Sequence, residues 1–557
     1  ETGHVQSFEM EDDFTAAEVE KKDGKRQEVL CEDSEAYMTL YQALLDSEGK
    51  PVTEDGLPAV RRELEVFTFR AANWKDGQRV AATGRVETDA AGLNPIMKYD
   101  YQYEAIPGTF QGRYYYTEDA SVRMEYLPVG FYVLAESDTP DGYATADPVF
   151  IEIPDTGHKT ETGKWSVTDE PLRLSVSKNV ISGEKEVDGA ELAIYPVGAD
   201  GTVAEQELLL HILEENGKCR EEKARWISGR DGRYTKEEAE AGTIPHGFEQ
   251  GDLKPHLVEY IPEGDYILRE EMTPYGFLQS ADLPFSIKDS KIIQKVEMQD
   301  EIPLGNLRVI KHDADQPEQL LKGAEFELVN KTLGLSCGRI VTGEDGSVLF
   351  EKLPIGYLDR DGKFAPYTYV CRETKAAPGH MLTSAAFEFQ FEYKDETTKI
   401  LEMRYDPVND SNRVLIEKKL ADTDEMLEGA VLRLEKKMTQ DNTEKNERQG
   451  ENAWEITWER VREWTTGRQP HLEKGLETGE YRLVEIQAPQ GVSVLANPVY
   501  FSITDGMIEV PCLVMRNYTV IAEIVKVSQT SEQLLAGAKL QLIKRDTGEV
   551  VEEWISE

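Results

Sequence analysis

The sequence predicts an all-β protein, a tandem array of small β-sandwiches or barrels. Three observations carry that reading. Short stretches alternate apolar and polar residues and end in turn signals, the pattern of half-buried strands. Two sequence markers recur along the chain with the same period. The hydrophobic fraction, 39% of 557 residues, is low for one large core but adequate for several small, surface-rich domains.

The first marker is a strand ending in Glu and followed by a Pro/Gly turn. Its copies are Tyr132-Val133-Leu134-Ala135-Glu136, Tyr266-Ile267-Leu268-Arg269-Glu270, Tyr369-Val370-Cys371-Arg372-Glu373 and Tyr481-Arg482-Leu483-Val484-Glu485. The turns after them are Pro140-Asp141-Gly142-Tyr143, Pro274-Tyr275-Gly276-Phe277, Pro378-Gly379-His380 and Pro489-Gln490-Gly491. The second marker is a short alternating strand carrying Lys, with a Gly-Ala pair eleven or twelve residues later. Lys178, Lys311, Lys418 and Lys526 precede Gly189-Ala190, Gly323-Ala324, Gly429-Ala430 and Gly537-Ala538. The Lys positions are 133, 107 and 108 residues apart, and the Glu positions 134, 103 and 112. A third element, a strand ending in Asp or Asn, closes the units at Asp169, Asp300 and Asn517. In the third unit the closing residue is either Asp406 or Asn409.

These registers divide the chain into units at about 4–170, 171–303, 304–411 and 412–517, with half a unit at 518–557. The half unit stops before any Glu strand, so the chain reads as a fragment of a longer array. Its start, Glu1-Thr2-Gly3-His4, reads as a processed or engineered terminus. Two units carry insertions. Ala204–Lys218 has an apolar cluster suited to a helix, and Thr235–Ala241 is Glu/Ala-rich. Asp441–Gly450 reads as a loop, and Trp454-Glu455-Ile456-Thr457-Trp458 as a period-two strand.

Together the Lys strand, the YxLxE and PxGY motifs and the closing Asp/Asn strand resemble the collagen-binding-protein B-type (CnaB, SpaA-like) domains of Gram-positive surface adhesins and pilins. The resemblance covers the chain from unit two onward and about Thr117–Pro171 of unit one. It implies tandem immunoglobulin-like, prealbumin-type β-sandwiches in an elongated array. It also implies an extracellular, cell-wall-anchored protein whose anchor lies outside this sequence. A further implication is an intramolecular isopeptide bond between the Lys and the Asp/Asn, assisted by the Glu. Carried over by position, the triads are Lys178/Glu270/Asp300 in unit two and Lys418/Glu485/Asn517 in unit four. In unit three Lys311 and Glu373 match, with Asp406 or Asn409 as acceptor. In unit one Glu136 and Asp169 match, and the amine comes from Lys21, Lys22 or Lys25, with Lys22 ranked first. Lys526 has no partner within this chain.

The chemistry needs these residue types. Burial among apolar strands lowers a Lys pKa and raises a carboxyl pKa, so a neutral amine and a neutral acid coexist. A Glu within reach then hydrogen-bonds the acceptor carbonyl and moves protons. Fixed geometry supplies the effective molarity that amide formation requires.

Composition excludes other functions. With 106 acidic and 62 basic residues, the formal charge of −44 opposes binding to nucleic acid or to an anionic membrane. No run of 18 apolar residues exists, so no membrane insertion is expected of this fragment. The eight histidines are scattered, without a Ser/His/Asp cluster, P-loop or HExxH. No cofactor, no metal and no enzyme activity beyond single-turnover autocatalysis is expected. Cys31, Cys219, Cys337, Cys371 and Cys512 are dispersed, too few for a disulfide framework. Cys371 occupies an apolar strand position and reads as a buried free thiol. Asp359-Arg360-Asp361-Gly362 lacks the further ligands of a calcium loop and reads as a β-turn. Ile153-Pro154-Asp155-Thr156-Gly157 lacks the apolar segment of a sorting signal and reads as a turn.

Two aromatic groups are candidates for ligand binding. Tyr101, Tyr114 and Tyr116 belong to a Tyr-rich stretch of unit one, and Trp454 and Trp458 share one face of the inserted strand. The same spacing also suits a core. The functional expectation is a monomeric rod acting as an adhesin or stalk. Its partner would be a host glycan or a host protein: extracellular matrix, mucosal protein or immunoglobulin. The alternative is a pilin-like backbone without a ligand.

Overall fold

The computed structural model describes residues 15–25, 36–71, 103–107, 112–117, 121–155, 163–181, 183–214, 218–441, 454–493 and 496–557, and the backbone of four short strands within 74–100. Almost all the regular structure is β, as the alternation predicts. The chain forms two compact units. One comprises 1–305, 354–367 and 391–401, the other 306–353, 368–390 and 402–557.

In the first unit, the N-terminal repeat is a sandwich. One sheet orders Glu104–Ala105, Arg113–Tyr116, Val122–Glu125, Ala16–Asp23, Gly163–Pro171 and Tyr143–Ala144. The facing sheet orders Val149–Ile153, Gly130–Asp138, Tyr37–Gln42 and Glu65–Arg70. Ala17, Val19, Met124 and Val167 from one sheet meet Met38, Leu40, Phe67 and Leu134 from the other. Repeat two is a three-on-four sandwich. His256–Glu259, Arg173–Val180 and Gln294–Asp300 cover Arg225–Ile227, Glu191–Val197, Gly264–Met272 and Leu283–Ile287.

The second unit contains the same three-on-four arrangement in repeat four. In repeat four, His471–Lys474, Arg413–Leu420 and Cys512–Asn517 face Trp454–Thr465, Val431–Asp441, Gly479–Gln487 and Val499–Ile503. Repeat three has the four-stranded sheet Leu335–Val341, Glu325–Asn330, Tyr369–Lys375 and Ala386–Phe389. At the C-terminus, Lys539–Ile543 and Val550–Ile555 form an exposed hairpin.

The stretch expected as a helix over Ala204–Lys218 is instead a hairpin, Leu209–Leu213 paired with Cys219–Lys223. Its apolar cluster serves two cores. Leu208 and Leu210 join the core of repeat two, while Leu213 joins that of repeat one. The two-residue period of a strand puts Leu208 and Leu210 on one buried face, while Leu209 and His211 on the other stay exposed and Leu213 at the strand's end is buried. Thr235–Ala241 does form a one-turn helix, Lys236–Glu240. A capping box starts it, with Thr235 Oγ1 accepting from Glu238 N at 3.2 Å and Thr235 N donating back to Glu238 Oε2 at 2.6 Å.

Asp359–Gly362 is a turn, its Asp359 Oδ1 accepting from the backbone of Asp361 and Lys363 at 2.9 Å. The hairpin around it packs on repeat two. Phe364 lies 5.9 Å from Tyr275 and 6.3 Å from Phe277 between ring centres. Cys337 and Cys371 are free thiols, Cys371 buried, while Cys219 is disulfide-bonded, a link that the dispersed spacing did not signal. Among the described residues, no helix is long and apolar enough to cross a membrane.

Candidate functional site: four buried lysine triads

In each repeat the Lys strand runs parallel to the closing strand. The register is the same all four times. Lys21 stands opposite Val167, and Asp169 stands opposite Asp23, two residues further on. Lys178 faces Met298 while Asp300 faces Val180. Lys418 faces Met515 while Asn517 faces Leu420. Asn409 faces Asp313, two residues after Lys311. Side chains alternate along a strand, so positions two apart share a face. Each Lys therefore enters the core on the same side as its acceptor.

The Glu comes from the facing sheet. Glu136, Glu270, Glu373 and Glu485 stand opposite Met38, Leu192, Phe326 and Leu432. Next to every one of these pairs the ladder slips by one residue. Such a β-bulge bends the strand and re-aims the neighbouring side chain. A single backbone N–H, ten or eleven residues further along, then holds the carboxylate Oε2. The donors are Ala146 at 2.8 Å, Ser280 at 2.8 Å, Thr383 at 3.2 Å and Ala496 at 2.5 Å.

With Oε2 held, Oε1 faces the amine. The Nζ–Oε1 distances are 2.6 Å for Lys21–Glu136, 3.1 Å for Lys178–Glu270, 3.5 Å for Lys311–Glu373 and 3.1 Å for Lys418–Glu485. Lys21 also donates to Asp169, Lys178 to Asp300 Oδ1 at 2.5 Å, and Lys311 to Asn409 Oδ1. Asn409 Nδ2 donates to Glu373 Oε1 at 2.8 Å, and Asn517 Nδ2 to Glu485 Oε2 at 2.9 Å. All four lysines are at most 4% exposed and all four acceptors at most 2%.

Burial sets the electrostatics. Desolvation lowers Lys311 to about 8 against the opposing pull of Glu373, and it lowers Lys418 against Glu485. It raises Asp300 to about 6 although Lys178 pulls the other way, and it raises Asp169 against Lys21. Burial thus moves the amines of repeats three and four, and the acceptor acids of repeats one and two, toward their neutral forms.

Three candidate residues lie elsewhere. Lys22 is half exposed and pairs with Glu20 at 2.7 Å, while Lys25 pairs with Glu259 at the surface. Lys21 occupies the triad because it shares a face with Ala17 and Val19. Asp406 points outward and pairs with Arg404 at 2.8 Å, leaving Asn409 beside Lys311. Lys526 is exposed.

The aromatic candidates divide. Tyr101 and the Trp454 side chain lie outside the described residues. Tyr114 packs against Phe67 and Phe69, and Tyr116 donates its hydroxyl to the Arg70 carbonyl at 3.0 Å, so both belong to the first core. Trp458 lies on an open surface with exposed Ile456 and Tyr500, and the Arg482 guanidinium sits 4.3 Å from its ring centre.

The SpaA family of prealbumin-like fold domains matches residues 305–406 and 412–513. The chain carries SpaA-type prealbumin-like domains. Those two SpaA-type domains contain the Lys311 strand with Glu373, and the Lys418 strand with Glu485. Comparison with curated proteins finds no significant match. Among solved structures, the Bacillus anthracis TIE protein is similar at 16% identity, over 93% of this chain and 76% of that one, with a TM-score of 0.34. The shaft pilin SpaA of Lactobacillus rhamnosus GG is similar at 19% identity, over 40% of this chain and 100% of its own, with a TM-score of 0.18. The major pilin SpaD of Corynebacterium diphtheriae is similar at 14% identity, over 71% and 98%, with a TM-score of 0.23.

Proposed function

We propose that the four triads form intramolecular isopeptide bonds, which brace an extracellular stalk or adhesin of a Gram-positive surface. The supporting observation is the common geometry. Four times a buried Lys stands two register positions from an Asp or Asn on a parallel neighbour, with a pinned Glu against the amine, and in repeats one to three the Lys donates to that acceptor.

In each triad Nζ attacks the acceptor Cγ. The Glu takes a proton from nitrogen and returns it to the leaving group. Water leaves from Asp169 and Asp300, and ammonia from Asn409 and Asn517. Each bond joins the Lys strand to the closing strand, so the two ends of a repeat cannot be pulled apart without breaking an amide. Such bracing suits a load-bearing rod, and the formal charge of −44 keeps acidic outer faces solvated and mutually repelling. Intact mass spectrometry of the full chain tests this reading. The expected deficit is two waters and two ammonias, and an undiminished mass would end it.

The ligand-bearing version draws support from the surface where half-buried Trp458 lies beside exposed Tyr500 and Ile456, since aromatic residues are favoured at interface centres. The partner expected is a host protein, with immunoglobulin among the alternatives, and a backbone without a ligand is the competing form. Pull-down from serum and mucus with wild type and Trp458→Ala separates them. Saturable capture lost in the variant supports an adhesin, and no capture by either supports a plain stalk.

A further inference from the structure

Repeat two differs from the other three at one atom beside the reacting pair. Ser280, whose backbone N–H holds Glu270, also turns its hydroxyl into the triad. Its Oγ lies 2.7 Å from Asp300 Oδ1, 3.0 Å from Lys178 Nζ and 2.9 Å from the Gln299 carbonyl oxygen. The equivalent backbone donors are Ala146 and Ala496 in repeats one and four, which have no hydroxyl. In repeat three the donor is Thr383, whose hydroxyl accepts from Ala385 N at 3.3 Å.

We propose that Ser280 is a catalytic residue of repeat two, the hydroxyl donor that stabilises the oxyanion on Asp300 Oδ1 as the Lys178–Asp300 bond forms. The inference rests on the isopeptide reading above. Neutral Lys178 Nζ adds to Cγ of protonated Asp300, and the π pair of the Cγ–Oδ1 bond moves onto Oδ1. The Ser280 hydroxyl carries one proton. Before attack it has two acceptors, the Gln299 carbonyl and Asp300 Oδ1. As charge develops on Oδ1, the proton commits to that oxygen, 2.7 Å away. Nitrogen gives one proton to the Glu270 carboxylate at Oε1. Glu270 returns it to the Oδ2 hydroxyl, which leaves as water while the Cγ–Oδ1 double bond re-forms. Amine plus acid becomes amide plus water, and both Ser280 and Glu270 end as they began.

Oδ2 suits the leaving role, because it is buried without a hydrogen-bond partner. Ser280 also lines a surface depression of about 410 Å³ with Gln279, Gln299 and Thr397.

The test follows the Lys178–Asp300 crosslinked peptide in the full chain, quantified by peptide mapping at timed intervals after synthesis. The other three crosslinks in the same molecules serve as internal clocks. Ser280→Ala should slow this crosslink about 100–1,000-fold, in line with the loss of one oxyanion donor, and leave the others unchanged. Ser280→Thr should restore most of the rate, and Ala146→Ser should accelerate the Lys21–Asp169 crosslink in repeat one. An unchanged rate in Ser280→Ala overturns the role of Ser280 while the isopeptide reading stands. Equal slowing in Ser280→Thr and Ser280→Ala also overturns it, because the hydroxyl would then not be what matters. Absence of all four crosslinks in the wild type overturns both.

Discussion

On the isopeptide reading, replacing Glu270 by Gln removes the proposed proton shuttle of repeat two and little else. Gln keeps an oxygen for the Ser280 backbone N–H, and Lys178 and Asp300 remain as a buried pair. If only that local contact mattered, the loss would be about 1 kcal/mol, the usual net worth of one hydrogen bond. The proposed crosslink would be worth more. It would join residues 122 positions apart, and closing a loop of that length removes unfolded-state entropy worth about 5 kcal/mol. For a repeat of this size, that difference lowers the midpoint of thermal unfolding by roughly 15–20 °C. Differential scanning calorimetry and intact mass spectrometry on one sample supply the assay. The variant should keep one water more than wild type and show one transition shifted by that amount. A variant that still loses the water refutes the shuttle role. A retained water with a shift of only a few degrees refutes the claim that the crosslink dominates stability.

Three further outcomes follow. Lys21→Met should abolish the first crosslink and Lys22→Met should leave it intact, as read by the crosslinked peptide containing Asp169. In repeat three, Asn409→Ala should remove the loss of ammonia, whereas Asp406→Ala should not change the mass deficit. The pH response of repeats two and three should be opposite. Lys311, lowered to about 8, must lose its proton before attack, so crosslinking in repeat three rises roughly tenfold between pH 7 and pH 9. Asp300, raised to about 6, must be protonated, so the rate in repeat two falls as pH rises above 6. Equal pH profiles in the two repeats would contradict the assignment of the limiting group.

Much of the site was legible before folding, because the triad residues sit on periodic strands. Both corrections were also legible in the same pattern. Lys21 follows Val19 and Ala17 at two and four residues, as Lys178 follows Val176 and Leu174, and as Lys418 follows Ile416 and Val414. Lys22 follows Glu20 and Glu18, the polar face. Asn409 follows Pro407 and Tyr405, whereas Asp406 follows Arg404 and Glu402. Period-two alternation applied to the crosslink residues themselves separates inward from outward candidates. The insertion Ala204–Lys218 was not decidable this way. Its leucines are shared between two cores, and local periodicity carries no information about a second core.

The sequence by itself determined the repeat, its period, the all-β class and the residue types of the buried triads. Those follow from alternation and spacing, which are local properties of a chain. The tertiary structure decided which atoms meet. The two-residue offset between Lys and acceptor belongs to a parallel pairing of strands more than 90 residues apart. The bulge that aims each Glu arises between strands of the facing sheet, and the backbone N–H that pins it comes from the turn beyond. The Ser280 hydroxyl acquires a role only when that turn folds over the triad. Contacts between distant segments depend on register and packing, and neither is written in the spacing of any one strand.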